Sequence, residues 1–309
     1  MRVLVSCPPM LANLGTIPDD LRGIGVELIA PKFDQTLTIE ALMDLVPTVD
    51  GWIAGDDPAT SQVLEAGASG RLKALVKWGV GVDNIDREAC TRLGISFSHT
   101  PAMFGDEVSD LAVCYLIGLA REVITIHQGV QRGEWVKPAG ISLRDKVVGV
   151  VGYGDIGKSL CLKLEALGMQ VHAYDPFINM SDSGTPIKEW PMDLGRCDFL
   201  VFTCALNSDT YHMLSAQTLR ACKKGIRIIN VARGGLIDEP ALVESLNCGH
   251  VHSVALDVFE VEPLPMTSKL HVFEKNIFGS HNASNTIDAV VKTNTKAVNQ
   301  LLDQLGLAS

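Results

Sequence analysis

Three glycines in this 309-residue chain, Gly152, Gly154 and Gly157, have the spacing G-x-G-x-x-G and directly follow the apolar run 147–151. A buried strand that leads through such a loop into a helix can bind a pyrophosphate, because glycine permits the tight turn and the close approach of the backbone, and unpaired helix N–H groups face the phosphates. Asp175 ends the next predicted strand about 20 residues beyond Gly154, which is typical of a dinucleotide site. The alternative is a glycine-rich turn with an aspartate that caps a local group.

The residues at position 175 and just after it discriminate between dinucleotides. Asp175 can accept two hydrogen bonds from a ribose diol and would repel a 2′-phosphate, and Pro176 and Phe177 offer no cation that could hold one. The sequence therefore favours NAD over NADP.

Three later segments follow predicted strands at the carboxyl edge, where open α/β sheets bind ligands. They carry Arg233, Glu262 and His281. Beside a nicotinamide, Arg233 would bind the carboxylate and carbonyl of a keto acid, His281 would carry the hydroxyl proton, and Glu262 would hold the imidazole in one tautomer and favour its charged form. Each residue also has a purely structural interpretation. Arg233 could form a surface ion pair, Glu262 could be a solvated loop acid, and His281 could be a hydrogen-bonded loop histidine. Asp257, which ends its strand, could hold the nicotinamide carboxamide or cap a helix.

Short apolar strands alternate with helical patterns along the chain, which indicates two doubly wound α/β domains with parallel sheets. The predicted strands cover residues 3–5, 26–29, 52–54, 75–77, 95–97, 146–151, 170–174, 199–203, 226–230 and 253–257, and the predicted helices cover 38–46, 86–93, 156–167 and 239–247. The apolar stretch 108–126 predicts a mostly buried helix that links the domains or pairs two subunits. A final helix, 286–305, has an apolar stripe that we expect to pack on the first domain; the stripe comprises Ile287, Val290, Val291, Ala297, Val298, Leu301, Leu302 and Leu305.

Composition and charge narrow the class of partner. A net charge of −10 with no run of Lys or Arg argues against nucleic acid and acidic membranes. The longest apolar stretch, 111–120, is shorter than a membrane-spanning helix, and the first residues read as a strand rather than a signal peptide. The eight cysteines form no CxxC pair, so we expect reduced thiols and a cytoplasmic location. No metal site is predicted. The acidic charge favours a small molecule as the partner.

Taken together, these motifs resemble the D-isomer-specific 2-hydroxyacid dehydrogenase family, in its phosphoglycerate dehydrogenase-like branch. The segments that carry the resemblance are 77–86 (KWGVGVDNID), the glycine loop, 230–238 (NVARGGLID), 257–263 (DVFEVEP) and His281. The resemblance implies an NAD-dependent dehydrogenase of D-2-hydroxy acids. It also implies a Rossmann cofactor domain, residues 99–284, inserted into a discontinuous, flavodoxin-like substrate domain, residues 1–98 and 285–309.

The resemblance further implies roles for individual residues. Arg233, Glu262 and His281 would be catalytic, and the backbone N–H groups of Val80 and Gly81 would bind the substrate carboxylate. The chain would form a homodimer through the helix near 108–126. Residues that would line the cofactor are Asp155, Ile156, Val231, Ala232, Asp257 and Ala283.

Departures from the family pattern bear on the substrate. Phosphoglycerate dehydrogenases often carry an Arg-Ser pair after the third strand, where this chain has Asp56 and Asp57. These acids would repel a phosphorylated substrate if they face it, or would cap the next helix if they do not. If both acids point to solvent, 3-phosphoglycerate becomes the leading substrate candidate. Lys77 replaces the family's arginine near the glycine turn, and we expect Trp78 and Phe104 to influence selectivity.

Two other functions remain open at this stage. The same fold can serve as an NAD(H)-sensing binding protein, and the same scaffold can support oxidation of formate or phosphite. Neither alternative is excluded by Arg233, Glu262 and His281, so a test of turnover must discriminate among them.

Overall fold

A computed structural model describes residues 1–16, 25–33, 35–181 and 183–307. The chain divides into two compact units, one formed by Met1–Met103 with Ser284–Ser309 and the other by Phe104–Ala283. These boundaries lie within a few residues of the predicted domain boundaries at positions 98 and 285. That the first unit binds the substrate and the second binds the cofactor remains a prediction.

The first unit contains a parallel five-stranded sheet with the strand order β2-β1-β3-β4-β5. This order is that of flavodoxin-like folds. The strands are β1 (Arg2–Ser6), β2 (Glu27–Ile29), β3 (Gly51–Ala54), β4 (Ala74–Lys77) and β5 (Ser96–His99), and the helices between them are α1 (Pro8–Ala12), α2 (Ile39–Leu45), α3 (Ser61–Ser69) and α4 (Arg87–Leu93).

The local sequence explains where these helices begin and end. Thr38, Thr60 and Asp86 each accept a hydrogen bond from a backbone N–H in the first turn of the helix that follows, so the helix starts are satisfied by side chains. Gly94 ends α4 in the left-handed conformation at φ 70°. The central strands β3 and β4 are buried along their whole length because helices cover both faces of the sheet.

The last helix, α10 (Ile287–Gln304), packs against β3, β4 and β5 of this sheet. Its buried face includes Val290, Val298 and Leu301. Two residues of the predicted stripe are exposed instead: Ile287 is 77% exposed and Val291 is 39% exposed. Side chains on a helix point toward its N-terminus, so the side chain of Ile287, the first residue, extends beyond the end of the helix. Val291 lies one position after the buried Val290 and therefore points away from the buried face.

The second unit contains a parallel seven-stranded sheet with the order β12-β11-β10-β9-β6-β7-β8. The order reverses between β6 and β9, as in a Rossmann fold, and such a switch point is where open sheets bind ligands. The strands are β6 (Val147–Val151), β7 (Gln170–Tyr174), β8 (Ile187–Lys188), β9 (Phe199–Phe202), β10 (Ile226–Asn230), β11 (Val251–Leu256) and β12 (Ile277–Phe278), and the helices are α5 (Gly105–Arg121), α6 (Val123–Gln131), α7 (Asp155–Ala166), α8 (Ala216–Ala221) and α9 (Glu239–Asn247). The predicted fold class, two doubly wound parallel sheets, is confirmed.

The single helix predicted for residues 108–126 is wrong, because the chain breaks into α5 and α6 at Glu122. Glu122 adopts the left-handed conformation at φ 53°. Its carboxylate is buried, lies 3.3 Å from Nε2 of His252 and accepts a hydrogen bond from the hydroxyl of Thr125. This tertiary contact overrides the local helical pattern. Helix α5 is buried along one face, whereas α6 buries only Gly129 completely.

None of the described helices is long and apolar enough to cross a membrane.

Candidate active site

The glycine loop has the geometry of a phosphate-binding turn. Strand β6 leads into Gly152, which has φ +99°, a conformation that favours glycine. Gly154 then forms the N-cap of α7. The first N–H groups of this 12-residue helix therefore lie at the switch point of the sheet.

Each of the three loop glycines has a different environment. A Cβ atom on Gly152 would lie 2.7 Å from the backbone nitrogen of Cys204, and one on Gly157 would collide with the carbonyl oxygen of Gly152. A Cβ atom on Gly154 would meet no atom within 4 Å. Gly152 and Gly157 thus allow the strand and helix to pack closely, while Gly154 faces open space in which a phosphate could approach the backbone.

Asp175 follows β7 and is held beside the glycine loop. One carboxylate oxygen accepts the N–H of Tyr153 at 2.9 Å, and the other accepts the N–H of Phe177 at 2.9 Å. These bonds fix the carboxylate at the carboxyl edge of the sheet. The position is consistent with an acceptor for a ribose diol.

Arg233 is carried by a turn that the side chain of Asn230 closes. The buried amide of Asn230 donates to the carbonyl oxygen of Arg233 at 2.8 Å and accepts the N–H of Ala232 at 3.0 Å. Gly234 packs directly against the backbone of Phe259, where a Cβ atom would collide with the carbonyl group. This contact brings the turn after β10 against the loop after β11.

Glu262 and His281 form the central pair of the site. Oε2 of Glu262 lies 2.7 Å from Nδ1 of His281, and each side chain is 21% exposed. The other oxygen of Glu262 accepts the N–H of Phe259 at 2.9 Å, which orients the carboxylate. When Nδ1 carries the proton that Glu262 accepts, Nε2 is the ring nitrogen that can gain or release a proton.

Asp257 positions the loop that carries His281. Its carbonyl oxygen accepts the N–H of His281 at 2.6 Å, and its carboxylate accepts the N–H of Ala283 at 2.8 Å. The hydroxyl of Tyr115 donates to the same carboxylate at 3.3 Å, and burial together with this neighbouring acid raises the pKa of Tyr115. The structure thus gives Asp257 a positioning contact, whereas its predicted contact with a carboxamide remains a prediction.

Two positioning residues, Asn230 and Tyr115, have roles that the sequence did not reveal. The signal for Asn230 was its place at the end of a strand, three residues before Arg233, where an Asn side chain often closes a turn. Tyr115 gave no comparable signal, because its partner Asp257 is distant in sequence.

The predicted cofactor residues occupy the same edge of the second sheet. Val231 is 6% exposed and Ala283 is 9% exposed, so both would contribute mainly backbone and methyl surface. Asp155 and Ile156 lie in the first turn of α7. Within the described residues, no group of three or more His, Cys, Asp or Glu side chains could hold a metal ion.

In the first unit, Val80 and Gly81 lie in a turn that follows β4. Gly79 precedes them at φ +138°, and its N–H donates to the hydroxyl of Thr100 at 2.8 Å. Val80 is 40% exposed. The turn is thus anchored at Gly79, and Val80 is accessible.

The two loop acids Asp56 and Asp57 do not cap the next helix, because Thr60 performs that role. Asp57 is fully buried and accepts hydrogen bonds from the hydroxyl of Ser6 and the N–H of Leu37. Asp56 forms an ion pair with Lys77 at 3.1 Å. Neither acid simply points to solvent, so the condition that would favour 3-phosphoglycerate is not met.

Trp78 and Phe104 are turned into the protein. The indole N–H of Trp78 donates to Asn294 of α10 at 2.8 Å, and the side chain is 4% exposed. Phe104 is 3% exposed. Both side chains are thus buried, and their influence on selectivity remains a prediction.

Comparisons with known proteins identify a family. The model of the family described as "D-isomer specific 2-hydroxyacid dehydrogenase, NAD binding domain" matches residues 113–283. A hydroxypyruvate reductase from Thermotoga maritima is 30% identical over 303 residues, which cover 94% of this chain and 98% of the relative. A D-3-phosphoglycerate dehydrogenase from Synechocystis sp. is 31% identical over 299 residues, which cover 94% of this chain and 53% of the relative. The chain therefore spans about half the length of that second relative.

Solved structures agree on the fold. The TT0316 protein from Thermus thermophilus has a TM-score of 0.88 at 29% identity, covering 99% of this chain and 97% of its own. The D-lactate dehydrogenase from Escherichia coli has a TM-score of 0.83 at 24% identity, covering 99% of this chain and 98% of its own. The second similarity supports the fold alone.

Proposed function

The chain belongs to the D-isomer-specific 2-hydroxyacid dehydrogenase family, and we propose that it interconverts a D-2-hydroxy acid and the matching 2-oxo acid with NAD. The observation that carries the proposal is the 2.7 Å contact between Glu262 and His281 in the same unit as the glycine loop. A carboxylate that orients an imidazole is the arrangement required for a general acid and base.

The residues present fit NAD. Gly152, Gly154 and Gly157 form a cradle with open space at its centre, and Asp175 is oriented at the end of the next strand to accept the ribose diol. NAD, when bound, supplies the hydride acceptor. We assign the lining of the cofactor site to Asp155, Ile156, Val231, Ala232, Asp257 and Ala283.

The chain's own side chains carry the remaining steps. In oxidation, Nε2 of His281 takes the proton of the substrate hydroxyl, and Glu262 stabilises the charge that develops on the ring. Arg233 binds the substrate carboxylate and carbonyl oxygen through its planar guanidinium. In reduction the same imidazole returns the proton, so one residue serves both directions.

In the first unit, we assign the backbone N–H groups of Val80 and Gly81 to the substrate carboxylate. Their turn has no bulky side chain at Gly79 or Gly81, and successive backbone N–H groups in such turns form anion-binding sites.

We further propose a cytoplasmic homodimer. All eight cysteines are free, which suits a reducing compartment. Helix α6 and the segment after it expose Val123, Val130 and Trp135, and an apolar surface of this kind suits a subunit interface. Light scattering coupled to gel filtration should give twice the mass of the chain, and Trp135→Glu with Val130→Glu should give the monomer mass.

The test of the activity is the consumption of NADH with glyoxylate, pyruvate, hydroxypyruvate and 3-phosphohydroxypyruvate, together with NAD reduction by formate and phosphite. We expect turnover with at least one 2-oxo acid. Tight NADH binding without turnover of any compound would contradict the proposal and indicate an NAD(H)-sensing protein. Turnover with formate or phosphite alone would indicate the different dehydrogenase chemistry.

A further inference from the structure

A buried ion pair lies at the carboxyl edge of the first sheet. Lys77 ends β4, where it is in register with Ala54 of β3, and Asp56 follows β3. Nζ of Lys77 donates to Oδ1 of Asp56 at 3.1 Å and to the carbonyl oxygen of Trp78 at 3.1 Å. The register of the two strands thus pairs an acid and a base at the edge where parallel sheets bind ligands.

The two partners of this pair differ in exposure. The side chain of Lys77 is 3% exposed, whereas that of Asp56 is 34% exposed. A buried ammonium needs a charged partner, because an unpaired charge is costly away from water. The cation is thus neutralised internally, and the acid is the more exposed of the two partners.

The pair lies beside the turn to which we assign the substrate carboxylate. A Cβ atom on Gly79 would be 3.1 Å from Nζ of Lys77, so the ammonium lies directly against this turn. The turn continues into Val80 and Gly81. Any charge on Lys77 or Asp56 therefore acts on a ligand held there.

The neighbouring acid does not share this role. Asp57 is fully buried and accepts hydrogen bonds from Ser6, Leu37 and Gly55. Burial raises the pKa of Asp57, which further disfavours its charged form. Asp56 is thus the more exposed of the two loop acids and the one that is paired with Lys77.

We propose that Asp56 determines the substrate class: by pairing with Lys77 it neutralises the cation beside the Gly79–Gly81 turn that would otherwise attract a phosphate, so that the enzyme prefers 2-oxo acids with an uncharged tail over phosphorylated ones. This inference rests on the proposed function. Attraction between one uncompensated ammonium group and a phosphate corresponds to a discrimination on the order of tenfold in kcat/KM, and salt should weaken it.

The first test compares kcat/KM for hydroxypyruvate and for 3-phosphohydroxypyruvate in the wild type and in Asp56→Asn. We expect the wild type to favour hydroxypyruvate, and the ratio to shift at least tenfold toward the phosphorylated compound in the variant, with a smaller shift at high salt. Asp44→Asn removes the same charge from an exposed position in α2 and should leave the ratio unchanged. A wild type that prefers the phosphorylated compound, or an Asp56→Asn ratio within twofold of wild type, overturns the inference and leaves the proposed function intact.

The second test does not depend on turnover. Inorganic phosphate is titrated by calorimetry into the wild type, Asp56→Asn, and Asp56→Asn with Lys77→Met. We expect phosphate to bind Asp56→Asn at least tenfold more tightly than the wild type, and the added Lys77→Met change to remove the gain. If the wild type reduces no 2-oxo acid, the proposed function fails, and equal phosphate affinity in the three proteins then overturns the role of Asp56 as well.

Discussion

Replacement of Glu262 by glutamine keeps the shape of the side chain but removes the carboxylate. The amide has the same size, and its oxygen can still accept the N–H of Phe259, the bond of 2.9 Å that orients the native side chain. What is lost is the negative charge 2.7 Å from Nδ1 of His281 and, because the amide NH₂ group then faces the ring, the acceptor for the Nδ1 proton. Because Glu262 stabilises the charge that develops on the ring, the variant should be impaired in turnover rather than in folding.

The size of the effect follows from the geometry. Hydrogen bonds to charged groups contribute about 1.5–3 kcal/mol, and with both side chains 21% exposed we take about 2 kcal/mol. Since about 1.4 kcal/mol corresponds to a tenfold change in rate, Glu262→Gln should lower kcat/KM about thirtyfold. The affinity for NADH should not change, because the glycine loop and Asp175 are untouched.

The assay follows NADH consumption with the best 2-oxo acid at saturating NADH, and fluorescence titration gives the dissociation constant of NADH. Glu244→Gln, at an exposed position in α9, is the matched control. In a His281→Ala background, Glu262→Gln should have no further effect, because the carboxylate acts through the imidazole. A loss below threefold in the single variant, or a double variant whose loss is the product of the single losses, would contradict the proposed role of Glu262.

Three further predictions concern stability and cofactor binding. Gly157→Ala should lower Tm by several degrees and abolish NADH binding, because its Cβ collides with backbone. Gly154→Ala should keep Tm and only weaken NADH binding, because its Cβ meets no atom within 4 Å. Calorimetry measures Tm and titration measures NADH binding for both variants. Burial, with Lys188 nearby, lowers the pKa of His172 to about 4, so as the pH falls from 6.5 toward 4 the unfolded chain is protonated there before the folded chain. His172 should thereby contribute about 2–3 kcal/mol to the loss of stability over this range in urea unfolding, and His172→Gln should lose less than the wild type by about that amount. Trp78→Phe removes the bond to Asn294 and should cost about 1–2 kcal/mol in the same measurement, whereas an unchanged midpoint would contradict that role for the indole.

The glycine loop was predictable from sequence because its signal is local. Spacing alone identifies Gly152, Gly154 and Gly157, and each has a distinct environment in the structure. The fold class also followed, since alternating strands and helices allow few parallel topologies. Short elements with weak patterns, such as α8 and β8, were missed.

Features set by distant contacts could not be read from the sequence. The break at Glu122 depends on a contact with His252, more than a hundred residues away in the chain. The choice between capping and ligand-facing roles for Asp56 depended on the register that aligns Ala54 with Lys77. In both cases local propensity gave way to tertiary structure.

The proposed mechanism depends most on His281, which acts as the general acid and base. The direct measurement is the rate of NADH consumption by His281→Ala and the wild type, side by side, with the best 2-oxo acid at saturating NADH. We expect His281→Ala to lose a hundredfold or more in rate with unchanged NADH affinity, the usual scale for removal of such a group. Near-normal turnover in His281→Ala would contradict this role for His281.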